Sequence, residues 1–205
     1  MNFWDKIFKN GAIWEHKPSL SSVIAANYFS TTNQKNILIP GIGYGRNAPP
    51  FIKKGFAVTG IEISINAIKT ARDLDFNFPI HHGSVLHMPF DNNYYNGIYC
   101  YAVLHLFNKM ERTNFLQSCY NQLAHNGVMV FVVVSTKSNL YGKGKLISNN
   151  RFKIDNGLSV YFYDNDSIEK EFQNFGLEEY MEIDEPIQHL KDEPPIKCYY
   201  VICKK

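Results

Sequence analysis

An alternation of short β-like runs with helix-like stretches constrains this chain more than any other feature. The runs are NILIP at 36–40, FAVTGIE at 56–62, a weaker one around Pro79–His82, GIYCYAV at 97–103 and VMVFVVVS at 128–135. Between them lie a helical segment near Asn47–Lys54, then SINAIKTARDL at 64–74, then residues 108–125. Strands that alternate with helices build a parallel sheet covered on both faces. Within 64–74, Ile65, Ile68 and Ala71, with Ala67 beside them, form a helical stripe, and Ser64 is placed to cap it. Within 108–125, Phe115, Leu116, Cys119 and Leu123 fall at helical intervals, and Asn126-Gly127 predicts a left-handed stop. VMVFVVVS is apolar throughout, as a central strand buried on both faces requires.

Beyond residue 135 the pattern changes. Residues 137–150 are rich in Lys, Gly, Ser and Asn and predict a mobile loop. RFKIDNGLSVYFY at 151–163 predicts a hairpin turning at Asp155-Asn156-Gly157. A helix over 166–175 ends at Gly176, and two last strands follow at 177–183 and 197–205. At 205 residues the chain suits one domain, with an N-terminal helical extension (1–34), a core (36–134) and an insertion (137–163). A chain of this length buries about 70% of its unfolded surface, so it needs no staples.

Composition removes several classes of function. With 21 Lys+Arg against 19 Asp+Glu, the net charge of +2 is too balanced for a dedicated nucleic-acid binder. Cys100, Cys119, Cys198 and Cys203 lie far apart or inside apolar runs, which predicts free thiols in a reducing compartment and no zinc site. VMVFVVV is far too short to span a bilayer, and MNFWDKIFKN lacks the apolar core of a signal peptide. The expected setting is cytoplasmic, with no membrane partner.

The segment NILIPGIGYGRNAPPFIKKGFAVTGIEIS, 36–64, carries the chemistry. Gly41, Gly43 and Gly45 alternate directly after an apolar strand; lacking Cβ atoms, they let the backbone turn sharply and approach a ligand. The next strand ends at Glu62, where a carboxylate can accept both hydroxyl hydrogens of a ribose. A merely structural turn, with Glu62 capping the next helix, is the plainer alternative. A nicotinamide enzyme is the sharper rival, but its GxGxxG fingerprint would place a glycine where Arg46 stands. GxGxG suits a nucleoside without a pyrophosphate.

This segment resembles the first motif and acidic strand end of class I S-adenosylmethionine-dependent methyltransferases. HHGSVLHMPFDNNYYNGIYCYAVLHLF at 81–107 continues the likeness, which covers roughly residues 36–134. The Ile-Pro-Gly form of the first motif and the opening FWDKIFKNGAIWEHKPS are also similar to thiopurine, thiol and tellurite-resistance methyltransferases. The resemblance implies a Rossmann-like three-layer α/β sandwich. Its seven-stranded, mostly parallel sheet would have the order 3-2-1-4-5-7-6 with an antiparallel last strand, and no helix-length segment separates the last two runs. It further implies that Gly41, Gly43 and Gly45 lie against the amino-acid and ribose parts of S-adenosylmethionine. Glu62 would bind the ribose hydroxyls and Ile63 pack on the adenine. Ser84 and Val85 would stand where the adenine amino group is held, and Tyr101 near the methionine part. Three positions depart from the family: Ile39 and Asn96 stand where acids are common, and Ser84 replaces a frequent Asp.

Methyl transfer from a sulfonium needs alignment above all, so a general base is optional. His105, in VLHLF just past the fourth run, is the catalytic candidate; the alternative is a packed histidine beneath the loop. No Asn/Asp-Pro-Pro-Tyr/Phe and no Pro-Cys occurs, so methylation of nucleic-acid bases is unsupported. His81, His82 and His87 have no ligand spacing, and no metal is expected. Trp14 is either an aromatic lid over the cofactor's sulfonium or a packing anchor, and Trp4 an anchor. Lys137, Lys143, Lys145, Arg151 and Lys153 form a basic run without an acid, either an anionic-substrate site or a solvated loop. The expected function is methyl transfer from S-adenosylmethionine to a small-molecule acceptor. The alternatives are a cofactor-binding protein without turnover and a nicotinamide-dependent oxidoreductase.

Overall fold

A computed structural model describes residues 3–11, 17–31, 35–154, 157–186 and 194–205. Two helices, α1 (Phe3–Ile7) and α2 (Leu20–Ser30), precede the first strand. Then follow β1 (Asn36–Pro40), α3 (Pro49–Lys53), β2 (Ala57–Glu62), α4 (Ile65–Asp73), β3 (Ile80–His82), β4 (Tyr95–Tyr101), α5 (Lys109–Gln122) and β5 (Leu123–Val134). The chain continues through β6 (Lys145–Ser148), β7 (Arg151–Lys153), β8 (Ser159–Tyr161), α6 (Asn165–Phe172), β9 (Leu177–Glu185) and β10 (Ile196–Lys204).

Seven strands form one sheet in the order β3-β2-β1-β4-β5-β10-β9. β10 runs antiparallel to both of its neighbours, while the remaining pairs are parallel. That is the Rossmann-like order expected above. The sheet reverses direction of winding between β1 and β4, and open α/β sheets bind ligands at such a switch point.

Each face of the sheet packs its own apolar layer. On one, Ile98, Cys100, Phe131 and Val133 meet Phe115 and Cys119 of α5 and Ile168 and Phe172 of α6. On the other, Ile37, Ile39, Tyr99, Val130 and Val132 meet Ala25, Ala26 and Phe29 of α2 and Phe51 of α3. Residues 128–135 are buried without interruption, the consequence of covering both faces. Helix starts follow the capping residues. Ser64 accepts from the Ala67 amide, and Asn108 with Glu111 and Asp164 with Ser167 form reciprocal capping boxes.

Two expectations need correction. Residues 137–150 are not loop throughout, because β6 pairs with β7 and β7 with β8 in a separate three-stranded sheet. β6 is exposed along its whole length, so it carries no apolar alternation to announce it. This sheet is fastened by Tyr141, Phe152 and Phe162, whose rings meet edge-on at 5.3–5.9 Å. Second, α5 stops at Gln122 rather than at Asn126-Gly127. Leu123 turns extended, pairs with Tyr95 and is fully buried. Asn126 does take a left-handed φ of 60°, but inside β5, where the register with β4 shifts. The hairpin turn residues Asp155 and Asn156 lie outside the described residues.

The start of α2 is tied to the far end of the chain. Its first amides, on Leu20 and Ser21, donate to the buried Glu185 carboxylate at 3.2 and 2.9 Å. The third, on Ser22, donates to the Ser19 hydroxyl. The hydroxyls of Ser19 and Ser21 also share the Tyr99 phenol of β4 at 3.1 and 2.8 Å. Amides that a helix start leaves without partners are thus met by side chains.

Candidate cofactor-binding site

The loop after β1 is a run of left-handed turns, with φ of 67° at Gly41, 59° at Gly43 and 87° at Gly45. It is pinned to the neighbouring strand, because the amides of Gly41 and Ile42 both donate to the Ile61 carbonyl. The three glycines face different surroundings. A Cβ on Gly41 would stand 2.4 Å from Val103, and one on Gly45 2.9 Å from both Phe76 and Phe78. Protein packing alone demands glycine at those two positions. On Gly43 the nearest atom would be Phe8 Cζ, at an unstrained 3.9 Å.

Glu62 ends β2 beside this loop and is 5% exposed. Its two carboxylate oxygens accept from the amides of Gly43 (2.9 Å) and Ser64 (2.7 Å). Burial pushes its pKa up, and amide donation from Ser64, Gly43 and Ile63 opposes that rise. The backbone amides around it thus hold the carboxylate in a fixed orientation at the end of β2.

Ile63 follows directly, and its carbonyl lies 3.2 Å from His82 Nε2. Ser84 caps the short 3-10 turn Val85–His87, its hydroxyl accepting from the Leu86 amide, and Val85 is buried. Tyr101 closes β4, next to Val132 of β5. Strand pairing therefore carries Gly43, Glu62, Ile63, Ser84 and Tyr101 to one edge of the sheet. Trp14 lies outside the described residues.

His105 sits in the 3-10 turn Leu104–Leu106, where its Nδ1 accepts from the Val134 amide at 3.2 Å. A backbone amide can only donate, so Nδ1 offers its lone pair and the proton of the neutral ring is on Nε2. Burial holds the ring neutral, with a pKa pushed down to about 4 from the usual 6.5. As pH falls below 6.5 the unfolded chain takes up a proton that the folded one refuses, so stability declines until pH reaches about 4. The side chain keeps some exposure, and we expect a loss of about 1–2 kcal/mol across that window. His105→Gln should flatten the decline in urea unfolding between those pH values. A variant with an unchanged slope would contradict this.

Several participants were not legible beforehand. Phe8 is 3% exposed, packs edge-on against Tyr44 at 6.0 Å and stacks with Trp4 at 6.2 Å. Asp5 accepts from the Ser64 hydroxyl, and its carbonyl accepts from the Asn66 amide group, both at 2.9 Å. Together they lay α1 along the glycine loop and the start of α4. Arg46 stands 5.2 Å over the Tyr101 ring and donates to the Lys17 carbonyl, joining the glycine loop to β4 and the N-terminal segment. The hint for Arg46 was its place directly after the third glycine; Asp5 and Phe8 carried none.

In the basic run, Lys137 pairs with Glu182 of β9 at 2.9 Å. His81 pairs instead with Asp91 at 3.0 Å, and among the described residues no three His, Cys, Asp or Glu side chains are grouped to hold a metal ion. No described helix is long and apolar enough to cross a membrane.

A glycine turn and a buried acid thus stand together at the switch point of the sheet. Residues 38–131, a little under half of the chain, match the methyltransferase-domain family model. Among solved structures the chain is similar to the *Burkholderia thailandensis* 1,6-didemethyltoxoflavin-N1-methyltransferase bound to 1,6-didemethyltoxoflavin and S-adenosylhomocysteine. That match has 13% identity and a TM-score of 0.69, over 90% of this chain and 76% of that one. It is also similar to a methyltransferase from *Methanosarcina mazei* (17% identity, TM-score 0.74, 89% and 96% covered). A third is TehB from *Haemophilus influenzae* (14%, 0.65, 99% and 66%). No curated protein matches the sequence.

Proposed function

We propose that the chain methylates a small molecule bearing a thiol, amine or other soft nucleophile, with the cofactor's nucleoside seated between Gly43 and Glu62. The observation that carries the seat is the buried Glu62 carboxylate, oriented by the Gly43 and Ser64 amides at the end of β2. Without a Cβ, Gly43 keeps its backbone bare beside Phe8, which permits a close approach. In this reading Glu62 takes the ribose hydroxyls, and Ile63, Ser84 and Val85 border the adenine. Tyr101 borders the methionine part, with Gly41 and Gly45 shaping the loop.

The bound cofactor supplies an activated methyl group on a sulfonium. What the chain contributes is alignment of an acceptor for in-line attack and exclusion of water. His105, whose Nδ1 lone pair is spent on the Val134 amide, holds the turn after β4 in place rather than taking a proton. A small acceptor is supported by the near-neutral charge, by the missing base-methylation signatures and by the small molecule bound in the *Burkholderia* neighbour. The acceptor would lie under the N-terminal segment and the 137–163 insertion.

Removing residues 1–16 is expected to lower turnover of the true acceptor more than it lowers affinity for S-adenosylhomocysteine. A screen of small nucleophiles with isotopically labelled S-adenosylmethionine, followed by titration of the truncated chain, reads both quantities. Full turnover by the truncated protein, or an RNA or DNA acceptor, would reject the proposal.

A further inference from the structure

On the face of the sheet that carries α5 and α6, a cleft of about 820 Å³ opens between those helices and the inserted three-stranded sheet. That volume suits a small-molecule ligand. Five charged side chains stand on its walls, in addition to several polar ones: Lys109 and Arg112 of α5, Arg151 of β7, and Lys170 and Glu171 of α6. Arg112 and Glu171 neutralise one another, for the Arg112 Nε reaches both carboxylate oxygens at 3.1 and 2.9 Å. The Arg112 guanidinium also lies flat on Tyr161, 3.8 Å from its centroid. Lys109, Arg151 and Lys170 form no ion pair among the described residues.

Arg151 is the informative one. It is only partly exposed, and among the described residues its side chain's one hydrogen bond is a long 3.4 Å donation to the Leu106 carbonyl. Burial and the neighbouring Arg112 disfavour its charge, and Glu111 opposes them only in part. Three cations without an ion pair among the described residues thus gather on one cleft in a chain whose total charge is only +2. Like charges held together repel, and an oxyanion placed among them relieves the repulsion while accepting directed hydrogen bonds. Guanidinium groups match tetrahedral oxyanions in particular, since their fork of N–H groups meets two oxygens at once.

We infer that this cleft binds a small phosphate-bearing anion, seated on Arg151 between Lys109 and Lys170. S-adenosylmethionine carries no phosphate, and none of the cleft residues belongs to the glycine loop or to the end of β2. The inference therefore stands independently of the cofactor seat proposed above, although the cleft shares the 137–163 insertion with the acceptor region. Through Leu106, Arg151 touches the turn that follows β4, so an occupied cleft also braces the loop that holds His105.

Titration calorimetry of the full chain with inorganic phosphate and pyrophosphate, at ionic strength fixed with chloride, tests this. Saturable binding is expected, tighter for pyrophosphate, and weakened at least tenfold in an Arg151→Gln/Lys170→Gln double variant. Arg151 is partly buried, so Lys170→Glu serves as a second variant at an exposed helix position, with an expected weakening of threefold or more. Lys53→Gln/Lys54→Gln, at the exposed end of α3 and the residue after it, should leave binding unchanged. The inference is overturned if phosphate binds no better than chloride. It is also overturned if Lys170→Glu binds like wild type, or if the α3 variant weakens binding as much as the cleft variants do.

Discussion

Replacing Glu62 with Ala should weaken S-adenosylhomocysteine by about 1.5–3 kcal/mol, a factor of roughly 10 to 150. The range is that of hydrogen bonds to a charged group, and it applies here because the carboxylate is buried and already aimed by two amides. Gly43→Val should be at least as damaging. Its φ of 59° is hostile to a β-branched residue, and the new side chain would crowd Phe8 beside the loop. Calorimetric titration of both variants, beside a circular dichroism check of folding, reads the effect. Wild-type affinity in a folded variant would mean that the nucleoside sits elsewhere.

The second large effect concerns stability. Arg112 is 3% exposed and bound to Glu171, which also accepts from the Tyr163 phenol at 3.0 Å. Arg112→Ala removes the counter-charge and leaves a largely enclosed carboxylate behind. Losing one partner of such a pair costs about 3–5 kcal/mol. Adding Glu171→Gln should return part of that loss, because a neutral amide tolerates the enclosure better. Urea unfolding of the two single variants and the double variant yields the coupling energy directly. An Arg112→Ala protein within about 0.5 kcal/mol of wild type would show the pair to be an ordinary surface contact.

The sheet was largely legible because its evidence is local. Each of the runs 36–40, 56–62, 97–103 and 128–135 announces itself by apolar, β-branched composition, and the missing crossover before residue 197 gives away the antiparallel return. The Gly43–Glu62 arrangement was legible for the same reason, since nineteen residues of chain contain both ends. What escaped depended on distant partners or on exposed surface. β6 is solvent-facing on every residue and exists through its pairing with β7. Beside Gly41 and Gly45 stand Val103, Phe76 and Phe78, neighbours that sequence spacing does not bring to mind. Asp5 and Phe8 reach the glycine loop through a fold that wraps the N-terminal segment across α4.

The tie between α2 and Glu185 has a bearing on how the chain assembles as it is made. The amides at the start of α2 wait for an acceptor that lies 164 and 165 residues further along. During synthesis from the N-terminus, that helix emerges early but cannot receive its final cap until β9 has left the ribosome. Contacts of such long sequence separation close late and slowly, since the loop entropy must be met before they can form. Until then the apolar Ala25, Ala26 and Phe29 have an incomplete sheet to cover, and a nascent chain stalled before residue 185 would expose them to chaperones.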